Sequence, residues 1–228
     1  MNTNRIMVFY DGAYFRQGQI YFRYKEKRGW FSLPQLHSCI EHYVAGKMKL
    51  GVEITKVVGA HYYDGRPTTR IADAEQLTKE RNFEMALMSA GIVPHYLELS
   101  EAPKSDSQAD DQNYRVRQKG VDVELALDAL DYGHGNRFDA AVLITGDRDF
   151  VPLVRKLTSL DKQVVIGYFE FQGWDDTRND HHRSSYCSPH LLDAATSAMN
   201  FCNYVKDRNY KEQYKGIFFM PKSDSDEL

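Results

Sequence analysis

The chain has 228 residues, 42% of them hydrophobic, a formal net charge of −3 and a pI near 6.2. This is enough apolar chain for one large packed domain, and it excludes a globally basic nucleic-acid binder while leaving room for a local basic patch. Three cysteines without paired spacing argue against a disulfide framework, and no apolar run is long enough to span a bilayer, so a cytoplasmic setting with no membrane contact is expected.

The first predicted strand is 5–10, RIMVFY, closed by Asp11-Gly12. Residues 16–30 interleave basic and aromatic side chains, among them Arg16, Tyr21, Arg23 and Trp30, and read as a loop or small insertion. Ser32-Leu33-Pro34 opens a helix, with Leu36, Ile40 and Val44 at helical spacing. A second strand, 53–63, ends in the turn sequence Asp64-Gly65-Arg66-Pro67, and a helix over 69–90 stops at Gly91. A third strand follows at 92–99. Residues 101–118 are polar and aperiodic and read as a loop.

Further along, 121–130 has helical spacing and 139–145 is a fourth strand, running AAVLIT into Gly146, Asp147 and Asp149. A helix over 149–160 and a fifth strand at 163–169 come next. A second polar excursion, 170–186, precedes a last helix from Ser188-Pro189 to about residue 205. The domain is expected to cover 5–205, with a polar tail over 206–228. Strands alternating with helices predict a Rossmann-like three-layer α/β/α sandwich around a five-stranded, mainly parallel sheet of order 3-2-1-4-5.

In that order the first and fourth strands are neighbours. Side chains just past the carboxyl ends of adjacent strands meet in one crevice. Asp11 follows the first strand, Asp147 and Asp149 follow the fourth, and Asp122 opens the helix that leads into it. Several carboxylates in one place repel each other unless a cation lies between them, and oxygen-only ligands favour Mg²⁺ or Mn²⁺. Carboxylate-held metals hydrolyse phosphodiesters by in-line attack of water. Each acid taken alone also fits a helix cap, Asp149 before Phe150 in particular.

Three segments together, Phe9-Tyr10-Asp11-Gly12, Lys119-Gly120-Val121-Asp122 with Asp128, and Thr145-Gly146-Asp147-Arg148-Asp149-Phe150, resemble the motifs of NYN-domain proteins of the LabA-like group in the PIN-like nuclease superfamily. The resemblance implies a PIN-like fold and a metal-dependent ribonuclease acting on RNA with Mg²⁺ or Mn²⁺. It implies Asp11, Asp122, Asp147 and Asp149 as metal-holding and catalytic acids, Thr145 as a supporting hydroxyl, and Lys119 beside the phosphate path. Arg16, Arg23 and Arg148 complete the expected substrate-binding set. Asp128, six residues after Asp122, falls on a different helix face. Ala13-Tyr14 stands where the first motif often carries Asn, and Asn200 where an Asp often precedes the last aromatic residue.

Two other readings stay open: a non-catalytic RNA- or protein-binding module, and a metal-dependent DNase or phosphatase, since the metal chemistry is shared. The aromatic-rich surface expected at 16–30 also suits a homodimer. His181-His182 with Asp175, Asp176 and Asp180 lacks ligand spacing and reads as solvated. No GxGxxG or GxxxxGK(S/T) phosphate loop is present, which argues against a nucleotide-cofactor Rossmann enzyme.

Overall fold

Alternation along one strand sets the two cores of the molecule. In β1, Asn4–Asp11, the side chains of Ile6, Val8 and Tyr10 enter one apolar cluster, and those of Met7 and Phe9 enter another on the opposite face. A strand buried on both faces must lie inside a sheet covered on both sides. The structure, a computed structural model, describes residues 3–66, 74–98, 100–102, 115–117, 120–178 and 181–221. Lys119 and most of the 101–118 segment lie outside the described residues.

The remaining sheet strands are β2 (Thr55–Arg66), β3 (Ile92–Glu98), β4 (Ala140–Ile144), β5 (Gln163–Tyr168) and β6 (Ser197–Asn200). All pairings are parallel, in the spatial order β3-β2-β1-β4-β5-β6. The expected order of the first five is therefore present, extended by one strand. Helices α1 (Gly12–Ile20), α2 (Leu33–Met48) and α3 (Ala74–Ser89) cover one face. Helices α4 (Val121–His134), α5 (Val151–Ser159) and α6 (Pro189–Ala194) cover the other. No helix among the described residues is long and apolar enough to cross a membrane.

The sixth strand lies inside the expected last helix. That helix stops after Ala194, and Ala195 is extended at φ −80°, ψ 154°. The Thr196 hydroxyl accepts from Val164 N at 3.1 Å, while Thr196 N donates to Val164 O at 2.9 Å. The free edge of β5 thus recruits 197–200 despite their helical pattern, because an unpaired strand edge leaves a row of unsatisfied amides. The short helix α7, Phe201–Tyr204, resumes beyond it, capped by the Asn200 side chain.

The basic-aromatic stretch 16–30 is not a loop. It continues α1 through a π-helical turn, Tyr21–Lys25, and buries Tyr21, Phe22 and Trp30. Phe22 packs on Phe31, Phe169 and Phe218. Chain past residue 205 returns to close this cluster: Ile217 is buried, and Phe218–Phe219 pairs antiparallel with Trp30–Phe31. Aromatic rings that pack against one another in this way serve the core rather than a rim.

The 170–186 excursion is an antiparallel hairpin of Phe171–Asp176 and His181–Ser185. Asp176, 1% exposed, accepts from Arg178 Nε at 2.8 Å and from Arg183 Nε at 2.7 Å. The Arg178 guanidinium also lies 3.1 Å from the centre of the Tyr24 ring, tying the hairpin to the end of α1. His182 and Asp175 pair on the exposed side, as a solvated loop would.

The hydrogen bonds from Arg178 and Arg183 hold the Asp176 carboxyl down at about 2, below its ordinary 3.8. Its stabilising contribution is present above pH 4 and is lost as pH falls through 2. Asp176→Asn is expected to cost about 1–3 kcal/mol at pH 7, discounted because Arg178 is partly solvated. Urea unfolding at pH 7 and at pH 2.5 checks this: the difference from the parent protein should shrink at the lower pH.

Candidate acidic site at the carboxyl end of the sheet

Parallel register puts Tyr10 of β1 opposite Ile144 of β4, so the next residues, Asp11 and Thr145, emerge side by side. The Thr145 hydroxyl donates to Asp11 Oδ2 at 2.9 Å and accepts from Asp147 N at 3.2 Å. The other Asp11 oxygen, Oδ1, caps α1 by accepting from Tyr14 N at 3.1 Å. Asp147 in turn caps the 3₁₀ turn Arg148–Phe150, its Oδ1 accepting from Asp149 N at 2.9 Å. The capping role that suited Asp149 therefore belongs to Asp147, and Asp149 stands exposed beside it. The expected helix over 149–160 begins instead with this turn, and α5 follows from Val151.

Two glycines make this close approach feasible. A Cβ on Gly12 would lie 2.6 Å from Tyr63 O and 2.7 Å from Asp64 Cβ, and one on Gly146 would lie 2.6 Å from Tyr186 O. Either side chain would push the first turn off the sheet end. Tyr14, where an Asn was looked for, has a clamping role: its hydroxyl donates to Phe169 O at 3.1 Å and accepts from Phe169 N at 2.9 Å.

Asp122 lies in the first turn of α4, after Gly120, whose φ of 93° leads the chain into the helix. Asp11, Asp122 and Asp147 thus each stand at the N-terminal end of a helix or helical turn, where exposed amides favour negative charge. The acids nonetheless feel one another. Burial, reinforced by Asp122 and Asp64, pushes the Asp11 carboxyl up to about 6 despite its two hydrogen bonds. Asp122 is raised by burial and then by Asp147 and Asp149. The four expected acids therefore share one electrostatic environment.

A further acid, Asp64, was missed from the sequence. It is 3% exposed, one residue past the β2 position that pairs with Asp11. It accepts from the Tyr62 hydroxyl at 2.8 Å, from Gly65 N at 2.8 Å and from the Arg16 guanidinium. Asp64-Gly65 reads as a turn by composition, yet β2 runs on to Arg66. The signal is in the sequence: Tyr-Asp-Gly occurs twice, at 10–12 and at 63–65, at the ends of adjacent strands.

Of the expected basic residues, Arg16 is held by Asp64 while its side chain remains 56% exposed. Arg148 is exposed in the turn between Asp147 and Asp149. Arg23 lies half-buried, its guanidinium 5.2 Å from the Tyr24 ring and within 3.8 Å of Met220 Sδ. Asp128 points elsewhere on α4 and accepts from the Tyr63 hydroxyl at 2.8 Å. With His95 and Glu124 it forms a set whose ligating atoms lie within 4.8 Å of one another; the four aspartates do not form so compact a set.

Residues 5–184 match the family described as NYN domain. A crystal structure of a protein of unknown function from Vibrio parahaemolyticus is similar in fold, with a TM-score of 0.50, 20% identity, and coverage of 88% of this chain and 94% of the other. No curated protein matches the sequence.

Because the folded-state value of Asp11, about 6, exceeds the ordinary 3.8, the folded protein binds a proton more readily than the unfolded chain. Without metal, stability is therefore expected to fall as pH rises from 4 to 6 on account of this group. Asp11→Asn should stabilise the chelator-treated protein at pH 7.5, by at most roughly 3 kcal/mol, with the gain vanishing near pH 4. Thermal melts of both proteins across that range check the sign.

Proposed function

The chain belongs to the NYN domain family, within the PIN-like nuclease superfamily, and on that premise we propose that it is a metal-dependent ribonuclease whose site is Asp11, Asp122, Asp147 and Asp149. The observation that carries the reading is the hydroxyl of Thr145 joining Asp11 to the turn of Asp147, with Asp122 raised first by burial and then by Asp147 and Asp149. Acids so placed push each other toward protonation, and a bound cation removes that cost.

The donor set fits a hard divalent ion. All four groups are carboxylates, the nearby Arg16 is already paired with Asp64, and the spacing is open. Mg²⁺ typically takes one or two protein carboxylates and keeps several waters, which an open cluster permits. Asp11, Asp122, Asp147 and Asp149 would hold Mg²⁺ or Mn²⁺, which when bound acidifies water and stabilises developing charge on a phosphodiester.

The chain supplies the rest. Thr145 fixes one Asp11 oxygen, and the α1 amide fixes the other, so the carboxylate cannot turn away. The amide of Asp149 holds one oxygen of Asp147. Arg148, exposed between the two acids, supplies positive charge for backbone phosphates, and Arg16, paired with Asp64 on one side, offers them the exposed N–H groups of its guanidinium. RNA is favoured over duplex DNA because a few separate exposed arginines beside the acids suit a single strand.

Purified protein is expected to cleave single-stranded RNA with Mg²⁺ or Mn²⁺ and to stop on chelation. Asp147→Asn should lower the rate by about 100-fold or more, with Asp122→Asn similar. Arg148→Ala should chiefly weaken substrate binding. Cleavage that persists at the parent rate in chelator and in Asp147→Asn refutes the proposal; equal cleavage of single-stranded DNA in a parallel assay would move the substrate class.

A further inference from the structure

Helix α4 has two functional sides. Asp122 turns toward the acidic crevice, whereas Glu124 and Asp128, four residues apart, share another face and meet strand β3. His95 of β3 stands opposite them. Its Nδ1 lies 3.9 Å from Glu124 Oε1 and 3.8 Å from Asp128 Oδ2. Both separations are too long for hydrogen bonds, so the three groups face one another without bonding directly. They are suited to donors around a shared ion.

The surroundings hold these donors in place. His95 Nε2 is 3.0 Å from His61 Nδ1, and with His95 donating there, its Nδ1 lone pair is directed at the two carboxylates. The His95 ring is stacked on Tyr63 at 4.4 Å and 13°. The Tyr63 hydroxyl then reaches Asp128 Oδ2 at 2.8 Å, orienting the carboxylate. A ring nitrogen whose partner nitrogen is anchored, and a carboxylate that is itself hydrogen-bonded, are the supports that metal ligands ordinarily receive.

We propose that His95, Glu124 and Asp128 form a second metal site, distinct from the acidic crevice, that takes a transition-metal ion of the zinc class and ties α4 to β3. One imidazole and two carboxylates are three protein ligands of the kind zinc accepts, and the nitrogen donor separates this site from one built for Mg²⁺. The side chains are 20%, 40% and 33% exposed in the order His95, Glu124, Asp128, so one side remains open for water as a fourth ligand. Because the same helix presents Asp122, an ion here would also steady the crevice from behind.

The test uses the full chain carrying Asp122→Asn and Asp147→Asn, which weakens the first site, after removal of metal. Titration calorimetry with Zn²⁺ is expected to give about one equivalent bound, and Co²⁺ should develop the visible absorption of a four-coordinate nitrogen–oxygen site. Adding Glu124→Gln, an exposed and nearly isosteric change, should weaken Zn²⁺ by at least about tenfold and remove the Zn²⁺-induced rise in melting temperature. His95→Gln should do the same. Absence of Zn²⁺ binding in the Asp122/Asp147 variant overturns the proposal, as does unchanged binding after Glu124→Gln in a protein with a native circular dichroism spectrum.

Discussion

One hydroxyl joins the parts of the acidic crevice. Thr145 sits at the exit of β4, donates to Asp11 at the exit of β1, and accepts the amide of Asp147 from the following turn. That contact exists only because β1 and β4 are parallel neighbours in a register that sets Tyr10 against Ile144. Parallel neighbours require crossovers, and the crossovers are the helices that cover both faces of β1. The two-sided burial of one strand and the convergence of acids beyond its end are therefore one constraint seen at two levels.

The cost of such a site is electrostatic, and the fold limits it in two ways. Helix and turn amides offset charge on Asp11 and Asp147. Asp64, which would otherwise add a buried charge beside Asp11, is neutralised by Arg16 and satisfied by Tyr62. What remains unbalanced is the group of exposed carboxylates, where a divalent ion or substrate counterions would act. The cluster is thus prepared by the fold but not internally neutral, and the proposed metal binding rests on that imbalance.

The aromatic side chains before α2 carry a different lesson. Composition reads residues 16–30 as a basic-aromatic loop or small insertion. Instead Phe22 and Phe31 pack with Phe169 and Phe218 in one group drawn from three regions far apart in the sequence. The arginines of that neighbourhood largely serve the fold as well: Arg178 and Arg183 satisfy buried Asp176, and Arg178 covers Tyr24. Arg16 and Arg148 lie in the elements that leave β1 and β4.

Much of the crevice was legible in the linear chain, because its parts are local. An apolar run, a Gly-containing turn and an acid at the start of a helix are each encoded within about ten residues, and that pattern singles out Asp11, Asp122, Asp147 and Asp149 as candidates. The order of the first five strands followed from the same alternation. What the chain could not disclose were relations between distant segments: β6 formed from a helical pattern to satisfy the edge of β5, Asp64 drawn into the strand and paired with Arg16, and Asp147 rather than Asp149 chosen as the cap. The meeting of His95 with Glu124 and Asp128 belongs to this second group, since it depends on how α4 rotates against β3. Local pattern determines where a strand ends and which residue types stand there; only packing decides which side chains finally share a face, because hydrogen-bond partners and buried charges are satisfied across the fold.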